Sequence, residues 1–148
     1  MIEITIKGRA VPKGRPRFVR GMNRPFTPEK TVKAERAVAK LAQEAMDRAP
    51  YFGIPMAGPV RLEVLAVFEI PKSWNKAKRA AAIEGNVWHT STPDSDNLIK
   101  LISDGMNKIV FNDDGQVADC RCAKRYGSPA RTIVRVTPLK NWNDYCTL

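Results

Sequence analysis

"SDNLIKLISDGMNKIVFNDDGQV", Ser95 to Val117, carries the change of period on which the fold turns. At 100° per residue, Asp96, Lys100, Ser103, Asp104 and Asn107 fall within an arc of about 100°, while Leu98, Leu101, Ile102, Met106 and Ile109 take the opposite side. This predicts a surface helix from Ser95 with one polar face. Asn112 to Gly115 then reads as a turn, after which the period drops to two and a strand begins. A helix of about 14 residues rising about 1.5 Å each, followed by a tight return, brings "NDDG" near the helix only if the strand edge runs alongside it.

The rest of the chain supplies partners for that strand. "MIEITIKG" alternates Ile2, Ile4 and Ile6 with polar residues and predicts a first strand; Val60 to Ile70 predicts a second and Arg131 to Leu139 a last one. A long helix is predicted from "TPEKTVKAERAVAKLAQEAMDRA", with Thr27 as N-cap, Pro28 at the first helical position and Glu29 in the first turn. "PKSWNKAKRAAAIEG" predicts a short basic helix capped by Ser73 and ended by Gly85. The expected architecture is one α+β domain over residues 1–148, a mixed four-stranded sheet flanked by helices, with 141–148 as a weakly structured tail.

The 148 residues are enough to bury a core without disulfide staples. No apolar run approaches the roughly 20 residues needed to span a bilayer, so a soluble, cytoplasmic protein without membrane contact is expected. Three cysteines, with no secretory signal, fit a reducing compartment, and Cys120-x-Cys122 reads as small hydrophobes on one strand face rather than a zinc site. Lys and Arg number 25 against 15 Asp and Glu, and a net charge of +10 points to a polyanion, nucleic acid first.

Against that background the acids stand out. Asp94 at the helix N-cap and Asp96 in the first turn are ordinary for a helix start, and "NDDG" is ordinary for a hairpin turn. If Asp94, Asp96 and Asp114 converge, each pair at about 4 Å repels by about 4 kcal/mol at an effective dielectric near 20, so a cation must sit among them. Mg²⁺ suits such a site, with Mn²⁺ as substitute, because hard ions prefer carboxylate oxygens and retain water that can act as nucleophile. Lys100, one turn after Asp96, is placed to steady a phosphate, the attacking water or a carboxylate; alone it would be an exposed i,i+4 pair worth about 0.2 to 0.5 kcal/mol. Carboxylate-held metal on a basic protein points to phosphodiester hydrolysis.

"PDSDNLIKLISDGMN" and "VFNDDGQVADCRCAKRY", with "VPKGRPRF" and a following "TP" helix before them, resemble the RusA family of Holliday-junction resolvases, found in bacteria and their prophages. The resemblance implies that Asp94, Asp96 and Asp114 are the metal-binding catalytic acids and Lys100 the essential lysine, with Asp113 and Asp104 as auxiliary acids. It also implies a homodimer that cuts a four-way DNA junction by paired symmetric nicks. The basic insert around "PKSWNKAKRAAAIEG" is a departure from the family that bears on substrate preference.

From Lys7 to Arg24 the chain has seven basic residues and no acid, in a proline-broken segment that displays them. Lys13, Arg15, Arg17, Arg20 and Arg24 are therefore the expected backbone contacts, with Phe18 and Phe26 as wedges or stacking groups. Trp74 and Trp88 are expected in the core or a dimer interface, and His89 in a loop without a chemical role. Two other functions remain open: a non-catalytic binder of junctions or other nucleic acid, in which the acids only cap and turn, and a nuclease for flaps or forks.

Overall fold

In the computed structural model the residues described are 1–14, 27–48 and 50–140. Four strands, β1 (Ile2–Lys7), β2 (Val60–Phe68), β3 (Val117–Tyr126) and β4 (Arg131–Pro138), form one sheet in the order β1-β4-β2-β3. β4 pairs antiparallel with both β1 and β2, and β3 pairs parallel with β2 at the edge, so the sheet is mixed as expected. Parallel neighbours need a long crossover. Here it carries α2 (Lys76–Ile83) and α3 (Ser95–Met106); α1 (Glu29–Arg48) lies between β1 and β2 in sequence.

Period-two alternation decides which face of the sheet is covered. Ile2, Ile4, Leu62, Val64, Val134 and Val136 are buried beneath Val38, Ala42 and Met46 of α1 and Leu101, Ile102 and Met106 of α3. Those residues recur every three or four positions on each helix, giving each helix an apolar stripe to lay on the sheet. α1 and α3 also touch each other closely. A Cβ built at Gly105 would stand 2.8 Å from the Cβ of Val38, so only glycine fits there without something moving.

Helix boundaries depart from the expectation in three places. α1 begins at Glu29, one residue late, with the Pro28 carbonyl accepting from Val32 N–H at 3.2 Å. α2 is capped by Asn75 rather than Ser73: the Asn75 side chain accepts from Lys78 N–H at 2.9 Å, an Asx cap that the hydroxyl two residues earlier does not reach. Gly85 does end it, at φ +82, with Asn86 N–H on Ala81 O and Gly85 N–H on Ala82 O, the paired bonds of a Schellman close. α3 stops at Met106 instead of running on to Ile109, because Asn107 turns extended and Lys108 takes φ +66.

The "NDDG" segment is not a hairpin turn. Asp114–Gln116 forms a single 3₁₀ turn entering β3, whose ladder partner is the parallel β2. The register shifts between Val60 and Arg61 as Ala118 is passed over, a bulge that adjusts the aim of the strand's first residues.

Candidate active site

The pocket that matters chemically is an open one of about 570 Å³ between α3 and the start of β3, lined by Asp96, Asn97, Lys100, Ser103, Asp114 and Cys120, among others. Its parts come from elements remote in sequence. Asp96 and Lys100 arrive one turn apart on α3; Asp114 arrives on the 3₁₀ turn that precedes the edge strand.

That turn is held firmly. Asp113 accepts from Gly115 N–H at 2.9 Å, and the Gln116 side chain accepts from Asp113 N–H at 3.0 Å, a reciprocal capping box. The Gln116 amide then donates to the carbonyls of Met56, at 3.1 Å, and Gly58, at 2.7 Å. Asp113 is thus engaged with backbone, which leaves its neighbour to face the pocket. Asp114 and Gln116 divide the labour of the turn with it: one presents charge, the other anchors.

Lys100 is the hub of the charge network. Its ammonium donates to Asp114 Oδ2 at 3.0 Å and pairs with Asp104 Oδ1 at 2.9 Å. The Asp96 to Lys100 pair that spacing suggested is absent from the described ion pairs, the lysine having turned the other way. Hydrogen bonds to Asp104 and Asp114 hold its pKa above the ordinary lysine value against a smaller effect of burial. Asp104 in turn receives Lys13 at 2.6 Å, and Lys13 also pairs with Glu35 of α1. Burial pushes the Asp104 carboxyl up, but Lys13 and Lys100 outweigh it and hold the pKa below the usual value. Lys13, expected as a DNA contact, is therefore tied into the fold, with its N–H on Asn97 O at 2.9 Å as well.

Asp94 stands at the N-cap of α3, yet its side chain makes no capping hydrogen bond. A capping role would have consumed that carboxylate, and it does not. Asp94 is exposed and does not line the acid pocket. No group of three His, Cys, Asp or Glu side chains among the described residues is gathered closely enough to hold a metal ion. The structure thus unites Asp96, Lys100, Asp104 and Asp114, leaves Asp94 at the neighbouring helix start, and uses Asp113 in the turn. Arg15, Arg17, Arg20, Arg24, Phe18 and Phe26 lie outside the described residues, as do Cys146 and the 141–148 tail.

The donor set still fits a hard divalent ion. Asp96 and Asp114 offer oxygens on one solvent-open wall, and Mg²⁺ is commonly bound through one or two carboxylates with the remainder water or substrate phosphate. Cys120, exposed on the same wall, is a soft donor with a pKa raised by burial, so at neutral pH it is a thiol. Cys122 alone behaves as the small, half-buried strand residue that was expected of both.

Two supporting residues were not singled out in the sequence. Lys124 donates to Ser91 O at 2.8 Å and Pro93 O at 3.0 Å, fixing the linker that delivers Asp94 and Asp96. Its signal was available: it shares the alternate face of β3 with Cys120 and Cys122, the face turned to α3. Asp119 is buried and ion-paired with Arg61 and with Arg121, the latter at 3.3 Å, bracing the first rung of β3. Burial raises its pKa, but the two arginines prevail and hold it low. His89 is buried rather than loose, stacked on Phe68 at 3.8 Å, and Trp88 is 55% exposed rather than core, with Arg125 over its ring at 3.5 Å.

An acid pocket with a lysine at its centre, on a strongly basic α+β domain, is chemistry suited to the nucleic-acid backbone. The chain belongs to the RusA endodeoxyribonuclease family: the family model described as "Endodeoxyribonuclease RusA" matches residues 7–137, from the end of β1 almost to the end of β4. Membership places it among nucleases, hydrolases acting on DNA. It is also similar to "Uncharacterized protein YqaN" of Bacillus subtilis (strain 168), 30% identical over 139 residues, which is 91% of this chain and 94% of that relative. No helix among the described residues is long and apolar enough to cross a membrane.

Proposed function

We propose that the protein is a Mg²⁺-dependent, structure-selective endonuclease that resolves four-way DNA junctions by paired nicks, acting as a homodimer in the cytoplasm. One observation carries the reading: Lys100 sits between Asp104 and Asp114 on the pocket that Asp96 also lines. Ordinary capping and turn chemistry would not assemble acid, lysine and acid around a solvent-open wall.

In this mechanism Asp96 and Asp114 would hold the ion, with Asp94 at the neighbouring helix start as a further carboxylate, and Mn²⁺ would be an acceptable substitute. Held there, such an ion would supply an activated water and charge stabilisation for the leaving oxygen. Everything else is done by the chain. Lys100 meets the scissile phosphate as a cation whose position is set beforehand by Asp104, and Asp104 is set by Lys13. Arg15, Arg17, Arg20 and Arg24 bind the DNA backbone, which positions the duplex without reading sequence. Asp113 holds the turn so that Asp114 faces the pocket.

The test is a cleavage panel with Mg²⁺: a four-way junction beside a flap, a fork and linear duplex of the same sequence. Symmetric, ligatable nicks on the junction in preference to the others are expected. Preferential cutting of flap or fork would redirect the substrate assignment, and binding without cutting under any metal would leave a non-catalytic junction binder.

A further inference from the structure

A second cavity, of about 440 Å³, opens where the far end of β3 meets the linker into α3, lined by Arg9, Phe68, Glu69, His89, Thr92 and Tyr126, among others. It shares no lining residue with the acid pocket, and its volume lies within the ordinary range for small-ligand sites. The imidazole of His89 lies on Phe68 at 3.8 Å and 15°, with Tyr126 at 5.1 Å, and Tyr126 is itself held edge-on by Trp74 at 4.9 Å. The His89 residue is only 9% exposed, and its Nδ1 is buried without a hydrogen-bond partner. Buried polar atoms nearly always have one, and it is the stacking on Phe68 that holds this ring in the cavity wall.

The charges around it have a definite sign. Burial first, then Lys124 and Arg9, lower the His89 pKa, so the ring is neutral near pH 7 and offers one donor and one acceptor. Arg9 is exposed and makes no ion pair among the described residues. Glu69, at the rim, is an acceptor of the kind that takes an exocyclic amino group. A guanidinium, aromatic rings and polar edges in one recess match a phosphate joined to a base.

The recess also lies in line with the acid pocket. Cys120 on the wall of that pocket and Tyr126 on this one share a face of β3, six residues apart, which at about 3.3 Å per residue is about 20 Å. A stacked strand rises 3.4 Å per nucleotide, so the same span holds about six nucleotides.

We propose that this cavity receives one nucleotide of the substrate strand, its phosphate on Arg9 and its base against Tyr126 and His89, within about six nucleotides of the bond cut at the acid pocket. The proposal rests on the nuclease reading above, and its test separates the two.

The chain has a single histidine, so its imidazole nitrogens give one assignable set of NMR signals. Asp96→Asn protein without divalent ion is titrated with a single-stranded hexadeoxynucleotide. The His89 nitrogen signals are expected to move and saturate together with the backbone amides, and Arg9→Gln, an exposed change, to weaken that response about tenfold. Amides that saturate while His89 stays fixed would overturn the proposal, as would inorganic phosphate alone moving His89 as far as the oligonucleotide does. In a second arm, single abasic sites are walked through the six nucleotides either side of the nick. One position should slow the wild type about fivefold or more and leave Tyr126→Leu unaffected, whereas uniform tolerance would count against a base in the cavity. If the wild type cuts no DNA while His89 still responds, the nuclease reading fails and the nucleotide site stands.

Discussion

Replacing Lys100 by methionine separates a structural lysine from one that acts on substrate, because the two roles differ in size. The ammonium stands 2.9 Å from Asp104 and 3.0 Å from Asp114. At 3 Å a unit pair is worth about 1.4 kcal/mol in a water-like dielectric and about 5.5 kcal/mol at an effective value of 20. Lys100 is 54% exposed and Asp114 40%, so screening and side-chain entropy bring the stability at stake to about 1 kcal/mol or less. For a chain of this size that is a fall of about 2–4 °C in Tm. Removing a preorganised cation from a developing phosphoryl charge costs far more, about 10²- to 10³-fold in kcat. The assay is the initial rate of junction nicking at saturating Mg²⁺, run beside thermal unfolding. The expected result is a rate loss of at least about a hundredfold with Tm nearly kept. A rate within about threefold of wild type would refute the role given to Lys100, as would a rate loss fully accounted for by unfolding.

Other expectations follow from the same contacts. Gly105→Ala gains about 1 kcal/mol of helix propensity but meets Val38 at 2.8 Å, an overpacking cost of about 1–3 kcal/mol, so a net destabilisation is expected in urea unfolding. Asp113→Asn keeps a cap acceptor and should nick DNA within about threefold of wild type, whereas Asp113→Ala loses about 1 kcal/mol and more of the activity; equal losses in both would mean that Asp113 acts as an acid. Asp104 and Asp119 have pKa values below the ordinary carboxylate value, so their contribution is full above about pH 4 and lost as pH falls through the folded values. Urea midpoints measured against pH should therefore drop on the acid side, and Asp104→Asn should flatten that limb. Lys13 and Lys100 are raised, so their contribution is full below about pH 10.4 and lost as pH rises through the folded values.

Local chemistry in the sequence carried the sheet and the helices. Ile2 and Ile4 alternate into the core as period two requires, and the helical period of Ser95–Met106 put Asp96 and Lys100 on one face. The motif resemblance then singled out Asp114, which the fold does bring to Lys100. What remained hidden was mostly non-local. Nothing near Lys13 in the chain signals that its partners are Glu35 and Asp104, and nothing near His89 signals Phe68. The end of α3 was illegible for another reason, since a lysine at φ +66 gives no compositional warning of the kind glycine gives. Two further signals, besides that of Lys124, were present and unused. Asp113-x-x-Gln116 has the spacing of a capping box, which assigns Asp113 to the turn, and a glycine inside an otherwise helical run marks the close approach of α1 at Gly105.

The central claim is that Asp96 and Asp114 hold a metal where the DNA backbone arrives, rather than merely finishing a helix and a turn. Asp96→Asn keeps the size and polarity of the side chain while removing its charge, so the most direct measurement is junction binding and junction nicking by this variant with Mg²⁺. The account predicts unchanged or tighter binding, an intact fold and a loss of nicking of at least about a hundredfold. Nicking that persists at the wild-type rate in the folded variant would contradict it.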